Sequence, residues 1–266
     1  MSNIDQAVIL SAGLGTRLQP LTDNIPKVMI PIGSKPLLEW HIERFKEHGV
    51  GEFFINLHYL PDVIKNHFGD GSRWGVKITY VFEPEILGTA GGIKNFEKEL
   101  EENFFVMYGD MFSLVDYTRM AEAFFRKPGA IGMMIVGRND HPKDSDLVEV
   151  DAGLRFLKLH PKPHGYEKLP QNFRTLDAGY IFGKKILDYI PAGKPYNLDH
   201  ELLPDILSKG EKFYGYETDD YLYDIGTMER YKEVQEYVSN LKTEISKSSI
   251  SKQKPRPKTP QTKLRI

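Results

Sequence analysis

The chain contains no cysteine, which excludes disulfides and thiolate metal sites. No apolar run approaches the roughly 20 residues that a membrane-spanning helix needs. The opening MSNIDQ lacks the basic region and apolar stretch of a secretory signal. A soluble cytoplasmic protein, not engaged with a membrane, is therefore expected. Charge of one sign is also missing. The formal net charge is −2, which argues against a general nucleic-acid binder. There is no internal repeat, and no Ser-His-Asp arrangement stands out. Gly13-Leu14-Gly15 is not followed by Gly-Lys-Ser/Thr, so it is no Walker A loop. Leu18 stands where a dinucleotide fingerprint needs its third glycine.

What is present is enough for a substantial core: 266 residues, 40% of them hydrophobic. That length allows one large α/β domain or two small ones. The charge is unevenly spread. Residues 241–266 hold six Lys, two Arg and one Glu, a net of +7, which leaves about −9 on the first 240. The closing segment is rich in Ser, Lys and Pro. It has too few large apolar groups to offset its ordering entropy. The expected organisation is a folded unit over 1–240 and a disordered basic tail or linker over 241–266.

Apolar runs alternate with helical patterns. Strands are predicted at 8–10, 53–57, 77–83, 104–108 and 130–137. Helices are predicted at 36–48, 89–100 and 116–127, the first with Pro at its start and Gly49 at its end. This alternation implies right-handed crossovers and a mostly parallel, mixed α/β sheet flanked by helices. After residue 138 the pattern changes. A hairpin over 147–150 and 154–159, a strand over 173–182, helical stretches at 184–190 and 198–208, and a last helix at 228–241 are expected.

The most informative stretch is residues 8–38, VILSAGLGTRLQPLTDNIPKVMIPIGSKPLL. An apolar strand runs into a small-residue turn. Gly13 and Gly15 let several backbone N–H groups approach one anion. Arg17 adds a guanidinium fork and Lys27 a point charge, a pairing suited to a polyphosphate. Taken whole, residues 13–22, Pro26-Lys27 and residues 31–37 resemble the signature of the sugar-1-phosphate nucleotidyltransferases, G-x-G-T-R-L-x-P-L-T, P-K, then P-I-x-x-K-P-L. The resemblance covers roughly residues 4–240. It implies a Rossmann-like nucleotide-diphospho-sugar transferase fold, with a sugar-binding half added after the central strands. It also assigns Arg17 and Lys27 to catalysis, and Leu10, Ala12, Gly13, Gly15 and Thr16 to the nucleotide.

Two aspartates stand out. Asp110 follows Gly109 just past a buried strand, at the ligand-binding edge of an α/β sheet. Asp224 lies in Tyr-Asp-Ile-Gly-Thr before a helix. Either could equally be a turn or cap residue on position alone. Both match family elements whose aspartates hold Mg²⁺, a hard ion suited to carboxylate oxygens.

Residues 83–92, EPEILGTAGG, resemble the family's base-recognition loop, with Glu83 at the base-reading position and Gly88 and Thr89 in the loop. A carboxylate accepts two hydrogen bonds side by side, matching the two donors of a guanine edge. Glu83 thus favours GTP over UTP or dTTP, with Glu85 as the other candidate. His160-Pro161-Lys162 resembles the family's E-K-P element, which gives Lys162 the sugar phosphate. Pro161 departs from the pattern. Asp177-Ala178-Gly179 resembles its N-A-G element, with Asp177 replacing Asn. Gly109, Lys162, Asp177 and Gly179 form the expected sugar-phosphate set.

The implied reaction joins a nucleoside triphosphate, GTP favoured, to a sugar 1-phosphate of mannose or heptose type, giving a nucleotide-sugar and pyrophosphate. The same reaction with dTTP, UTP or CTP and glucose 1-phosphate or a phospho-alcohol, or a nucleotide-sugar sensor without turnover, are the competing readings. Residues 141–148 and 162–164 resemble a subgroup joined to a phosphatase domain in heptose-nucleotide synthesis. A link to a phosphatase domain or partner accords with that resemblance, and a homodimer is compatible with the chain.

Overall fold

The structure, a computed structural model, describes residues 4–138 and 142–248. In chain order the elements are β1 (Gln6–Leu10), β2 (Pro31–Ile32), β3 (Lys35–Pro36), α1 (Leu37–Glu47), β4 (Glu52–Leu57), α2 (Pro61–Phe68), β5 (Lys77–Phe82), α3 (Gly88–Lys94), β6 (Asn103–Tyr108) and β7 (Met111–Ser113). Then come α4 (Tyr117–Phe125), β8 (Ala130–Gly137), β9 (Leu147–Val150), β10 (Phe156–His160) and β11 (Phe173–Gly183). A π-helical turn (Leu198–Leu202), α5 (Leu203–Ser208), β12 (Lys212–Glu217), β13 (Leu222–Asp224) and α6 (Met228–Ser248) complete them.

Nine strands form the main sheet, in the order β10-β9-β11-β6-β1-β4-β5, with β8 joining β11 and β12 beyond it. β1 is parallel to both β4 and β6, β4 is parallel to β5, and β12 is parallel to β8. β11 is the reversed strand, antiparallel to β6, β8 and β9. The parallel half explains the unbroken apolar run at 104–107. Phe105 and Met107 enter the core layer under α1 and α4, whereas Phe104 and Val106 enter the layer under α3 and α5. A strand covered on both faces needs apolar residues at every position.

The predicted strands and α1, α4 and the 147–160 hairpin fall where expected, within one or two residues. Several differences have physical reasons. The helix expected at 89–100 stops at Lys94 and continues as turns. Its Gly91-Gly92 pair is weak helix material, and the Asn95 amide is drawn to Glu83. β12 escaped the pattern because Gly215 interrupts it. A Cβ there would come 2.8 Å from Val136 Cγ2, so the close strand pairing demands glycine. The short ladder β7–β13 and helix α2 were not anticipated, the strands being three residues long and α2 only eight.

The last helix runs to Ser248, eight residues into the segment read as tail. Residues 249–266 and His141 lie outside the described residues. Among the described residues no helix is long and apolar enough to cross a membrane.

Candidate functional site

The carboxyl ends of β1, β4 and β6 meet at one edge of the sheet. β1 ends at Leu10 and the chain turns through residues 11–15. The Ser11 N–H donates to Asn56 Oδ1 at 2.7 Å, which ties this loop to the end of β4. Gly15 sits at φ 67°, and a Cβ on it would lie 2.9 Å from Thr22 Cγ2. The Thr22 hydroxyl donates to the Gly15 carbonyl at 2.9 Å. Gly13 is different, because a Cβ there would meet no protein atom within 4 Å. Its backbone faces the cavities described below.

Asp110 is brought in by β6. The Gly109 N–H donates to the Leu10 carbonyl at 2.9 Å, and a Cβ on Gly109 would lie 2.6 Å from that same oxygen. Only glycine permits β6 and β1 to stay so close at this point. Lys27, on a 3₁₀ turn at residues 27–29, is 8% exposed. Its Nζ lies 2.6 Å from Asp110 Oδ2.

Asp224 reaches the same place through the β7–β13 ladder, where it pairs with Met111. The Ile225 N–H donates to the Asp110 carbonyl at 3.0 Å. Asp224 Oδ1 accepts the Gly226 N–H, and Oδ2 pairs with Arg230 from the first turn of α6. The Arg17 guanidinium approaches from the other side, 3.3 Å from where a Gly226 Cβ would stand. Among the described residues no group of three or more His, Asp or Glu is set to hold a metal. Asp110 lines both cavities, and Asp224 stands beside them with Gly226 on the wall of the second.

Behind Asp110 lies His41, buried in α1. Burial pushes its imidazole down to about 4, against opposing pulls from the Gly109 backbone and the Asp110 charge. A neutral ring therefore packs under the Gly109–Met111 turn.

Two adjoining cavities, of about 250 and 370 Å³, share Gly13, Lys27, Ile86 and Asp110. Together they are in the size range of small-molecule sites. Leu10, Ala12, Gly88 and Thr89 line the first, and Gly15, Thr16 and Arg17 the second. The sequence reading missed Asn56, Tyr108 and Asn197 in the first. Asn56 alone carried a signal, as the one polar side chain inside the apolar strand FFINL.

Glu83 is not on the cavity wall but behind it. It is 1% exposed. Oε1 accepts from the amides of Asn56 at 2.9 Å and Asn95 at 3.2 Å, and Oε2 accepts the Leu87 N–H at 3.1 Å. A carboxylate so committed braces the loop from within and has no free edge for a base.

The sugar-phosphate set is dispersed. Lys162 donates from Nζ to the Asp144 carbonyl at 3.1 Å, and its N–H donates to Asp146 at 2.9 Å. It lines neither cavity. Asp177 and Gly179 occupy an irregularity of β11, where the pairing with β8 slips between Leu176 and Tyr180. Gly179 takes φ 106° there. Burial pushes the Asp177 carboxyl up to about 6.

Residues 6–240 match the Nucleotidyl transferase family. The chain is 35% identical over 240 residues to a UTP--glucose-1-phosphate uridylyltransferase of Synechocystis, an alignment covering 85% of this chain and 61% of that protein. It is 29% identical to a D-glycero-alpha-D-manno-heptose 1-phosphate guanylyltransferase of Aneurinibacillus thermoaerophilus, covering 88% of this chain and 100% of that protein. Among solved structures it resembles HddC from Yersinia pseudotuberculosis complexed with GMP-PN, with a TM-score of 0.72, 28% identity, and coverage of 88% and 100% respectively. The chain thus spans about three fifths of the Synechocystis relative's length and the whole of the other two.

Two outcomes follow from this geometry. Glu83→Gln replaces an acceptor with a donor against the Asn and Leu87 groups. An unsatisfied buried group costs about 1–3 kcal/mol. Tm should fall, and KM should rise by a similar factor for GTP and UTP, with their ratio kept within about twofold. A selective change in that ratio would return base reading to Glu83. Asp177→Asn removes a charge that folding disfavours. The folded carboxyl holds its proton up to about 6, above its ordinary 3.8, so this group lowers stability as pH rises from about 4 to about 6. The Tm gain of the variant over the parent should grow across that window and level off above it, as followed by melting curves from pH 4 to 8.

Proposed function

Because the chain belongs to the nucleotidyl transferase family, we propose that it joins a nucleoside triphosphate to a sugar 1-phosphate, releasing pyrophosphate, with GTP and a mannose- or heptose-type sugar phosphate as the pair used. The observation that carries this reading is the convergence of Arg17, Lys27 and Asp110 on two adjoining cavities, with Asp224 held beside them by the Ile225 N–H bond to the Asp110 carbonyl. The guanine preference draws support from the full-length relative and from the HddC structure. The Synechocystis relative supports the uridylyl alternative.

The reacting group needs no general base. A phosphate monoester is largely ionised near neutral pH, its second pKa being about 6. One of its oxygens forms a bond to the α-phosphorus. The bond from that phosphorus to the bridging oxygen breaks, and pyrophosphate leaves with the electron pair. The obstacle is bringing one anion onto another, so positioning and charge neutralisation carry the catalysis. The amides of residues 13–15 and Arg17 hold the leaving phosphates. Lys27, fixed by its ion pair, offers charge at the transferred phosphate.

The family resemblance also implies a divalent ion, and the donor set fits Mg²⁺. That ion favours one or two carboxylates with waters and phosphate oxygens over an all-protein cage. Asp110 and Asp224 would hold it, and it would neutralise charge on the reacting phosphates. Arg230 now pairs with Asp224, its side chain 49% exposed. A solvent-facing guanidinium can swing away at small cost.

Lys27→Ala should lower kcat by at least about a hundredfold while the far-UV spectrum and nucleotide binding persist. Pyrophosphate release near the parent rate would remove Lys27 from the reaction. The reading as a whole is tested by mass spectrometry of products from pooled triphosphates and sugar phosphates. Arg230→Ala should tighten Mn²⁺ binding by about two- to fivefold, the worth of an exposed ion pair, as read from free Mn²⁺ by electron paramagnetic resonance. Unchanged or weaker binding would show that Arg230 does not compete for Asp224.

A further inference from the structure

Asp199 stands on the π-helical turn at Leu198–Leu202, a feature frequent at functional sites. Its carboxylate accepts two phenols. Tyr108 Oη donates to Oδ2 at 2.7 Å, and Tyr180 Oη donates to Oδ1 at 2.7 Å while lying 3.0 Å from Tyr108 Oη. Tyr180 is 1% exposed. Tyr108 lines the first cavity and immediately precedes Gly109-Asp110. Burial and the neighbouring carboxylate hold both phenols well above their ordinary range, so both remain donors.

The segment that carries Asp199 is tied to α3 as well. The Thr89 oxygen accepts the Leu198 N–H at 2.8 Å. Bonds therefore run from α3 to Leu198 and from the adjacent Asp199 to Tyr108. The same segment is pinned to the loop that opens α3. The Tyr196 carbonyl accepts the N–H groups of Ala90 at 2.9 Å and Gly91 at 3.1 Å, and the Tyr196 N–H donates to the Leu87 carbonyl at 2.9 Å. Each hydrogen bond in such a directed chain polarises the next.

We infer that Asp199 is a positioning residue for nucleotidyl transfer, fixing Tyr108 and with it the Gly109-Asp110 turn against the first turn of α3. The inference rests on the proposed reaction. Asp199 touches no reacting atom. It ties the end of β6, with Asp110 beyond it, to the segment that the Leu198 N–H anchors on Thr89 of α3. Displacing a reacting group by about 1 Å can cost about a hundredfold in rate. The effect should therefore fall on kcat more than on substrate KM.

The test uses the full chain and three variants. Tyr108→Phe keeps the ring and removes the donor to Asp199. Asp199→Asn turns one acceptor into a donor facing a phenol that is itself donating. Tyr180→Phe removes the donor from β11, leaves the Tyr108–Asp199 and Leu198–Thr89 bonds intact and is the control. Steady-state pyrophosphate release and Tm are measured for each. The first two variants should lose about 10- to 100-fold in kcat, with nucleotide KM within about threefold of the parent, and the double variant should be no worse than the poorer single. Tyr180→Phe should keep kcat within about twofold. If Asp199→Asn fails to fold, Tyr108→Phe still decides. An unchanged kcat in Tyr108→Phe, a loss that falls on KM, or an equal loss in Tyr180→Phe overturns the inference. An active parent with indifferent variants sinks this inference alone, whereas a parent inactive on every substrate pair sinks the underlying reaction with it.

Discussion

The Lys27–Asp110 ion pair is the contact on which the rest of the cleft depends. Lys27 is almost wholly buried, and Asp110 keeps a third of its side-chain surface exposed. Removing a buried lysine's partner would leave an uncompensated charge, at a cost of about 3–5 kcal/mol. A pair so placed is a poor means of stabilising a fold, since apolar residues of like volume do as well or better. Its value lies in holding a cation in a fixed position beside a carboxylate, both facing the same space. The 26–29 turn and the β6 end must therefore arrive together. The close approach at Gly109 makes that possible by seating β6 against β1 with no side chain between them.

The second carboxylate arrives by a different route. Asp224 is more than a hundred residues away in sequence and joins through a three-residue ladder. A ladder this short could not hold by itself. It is backed by the cluster of Phe112, Ile225, Val234 and Val238, which seats α6 beneath it. Tyr221 stacks on Tyr237 with ring centres 3.7 Å apart in the same patch. The last helix thus belongs to the site's foundation, although it contributes only Arg230 to the site. Each of the two carboxylates is paired with a cation, Lys27 on Asp110 and Arg230 on Asp224.

Local chemistry made part of this legible in the sequence. Gly13, Gly15, Arg17 and Lys27 lie within one loop, and the turn that gathers them is written in its glycines. The run at 104–108 announced a strand buried on both faces, and Asp110 followed from its end. What could not be read was the direction of side chains within the 83–92 loop. A glutamate before a glycine-rich turn looks the same whether it points out or in. Only the Asn56 and Asn95 amides, from a strand and a helix end well separated from it, decide that it points in. Asp199 was invisible for a similar reason. Its partners Tyr108 and Tyr180 sit on antiparallel neighbours, a pairing that alternation does not reveal. Lys162 shows the converse: a motif match fixed its identity, while its amine is engaged by the 144–146 segment.

With Glu83 turned inward, other polar groups face the first cavity. Asn56 has already given its carbonyl oxygen to the Ser11 amide and an amide hydrogen to Glu83, leaving one hydrogen uncommitted. Ser11, Thr89 and Asn197 line the same cavity, with the backbone of the β1 end and of the turn into α3. Their positions are set by contacts such as Gly88 against the Tyr196 carbonyl, where a Cβ would come within 2.8 Å. Glu83 and Asn95 thus brace the turn into α3 from behind, and their hydrogen bond fixes its shape without placing either side chain on the cavity wall.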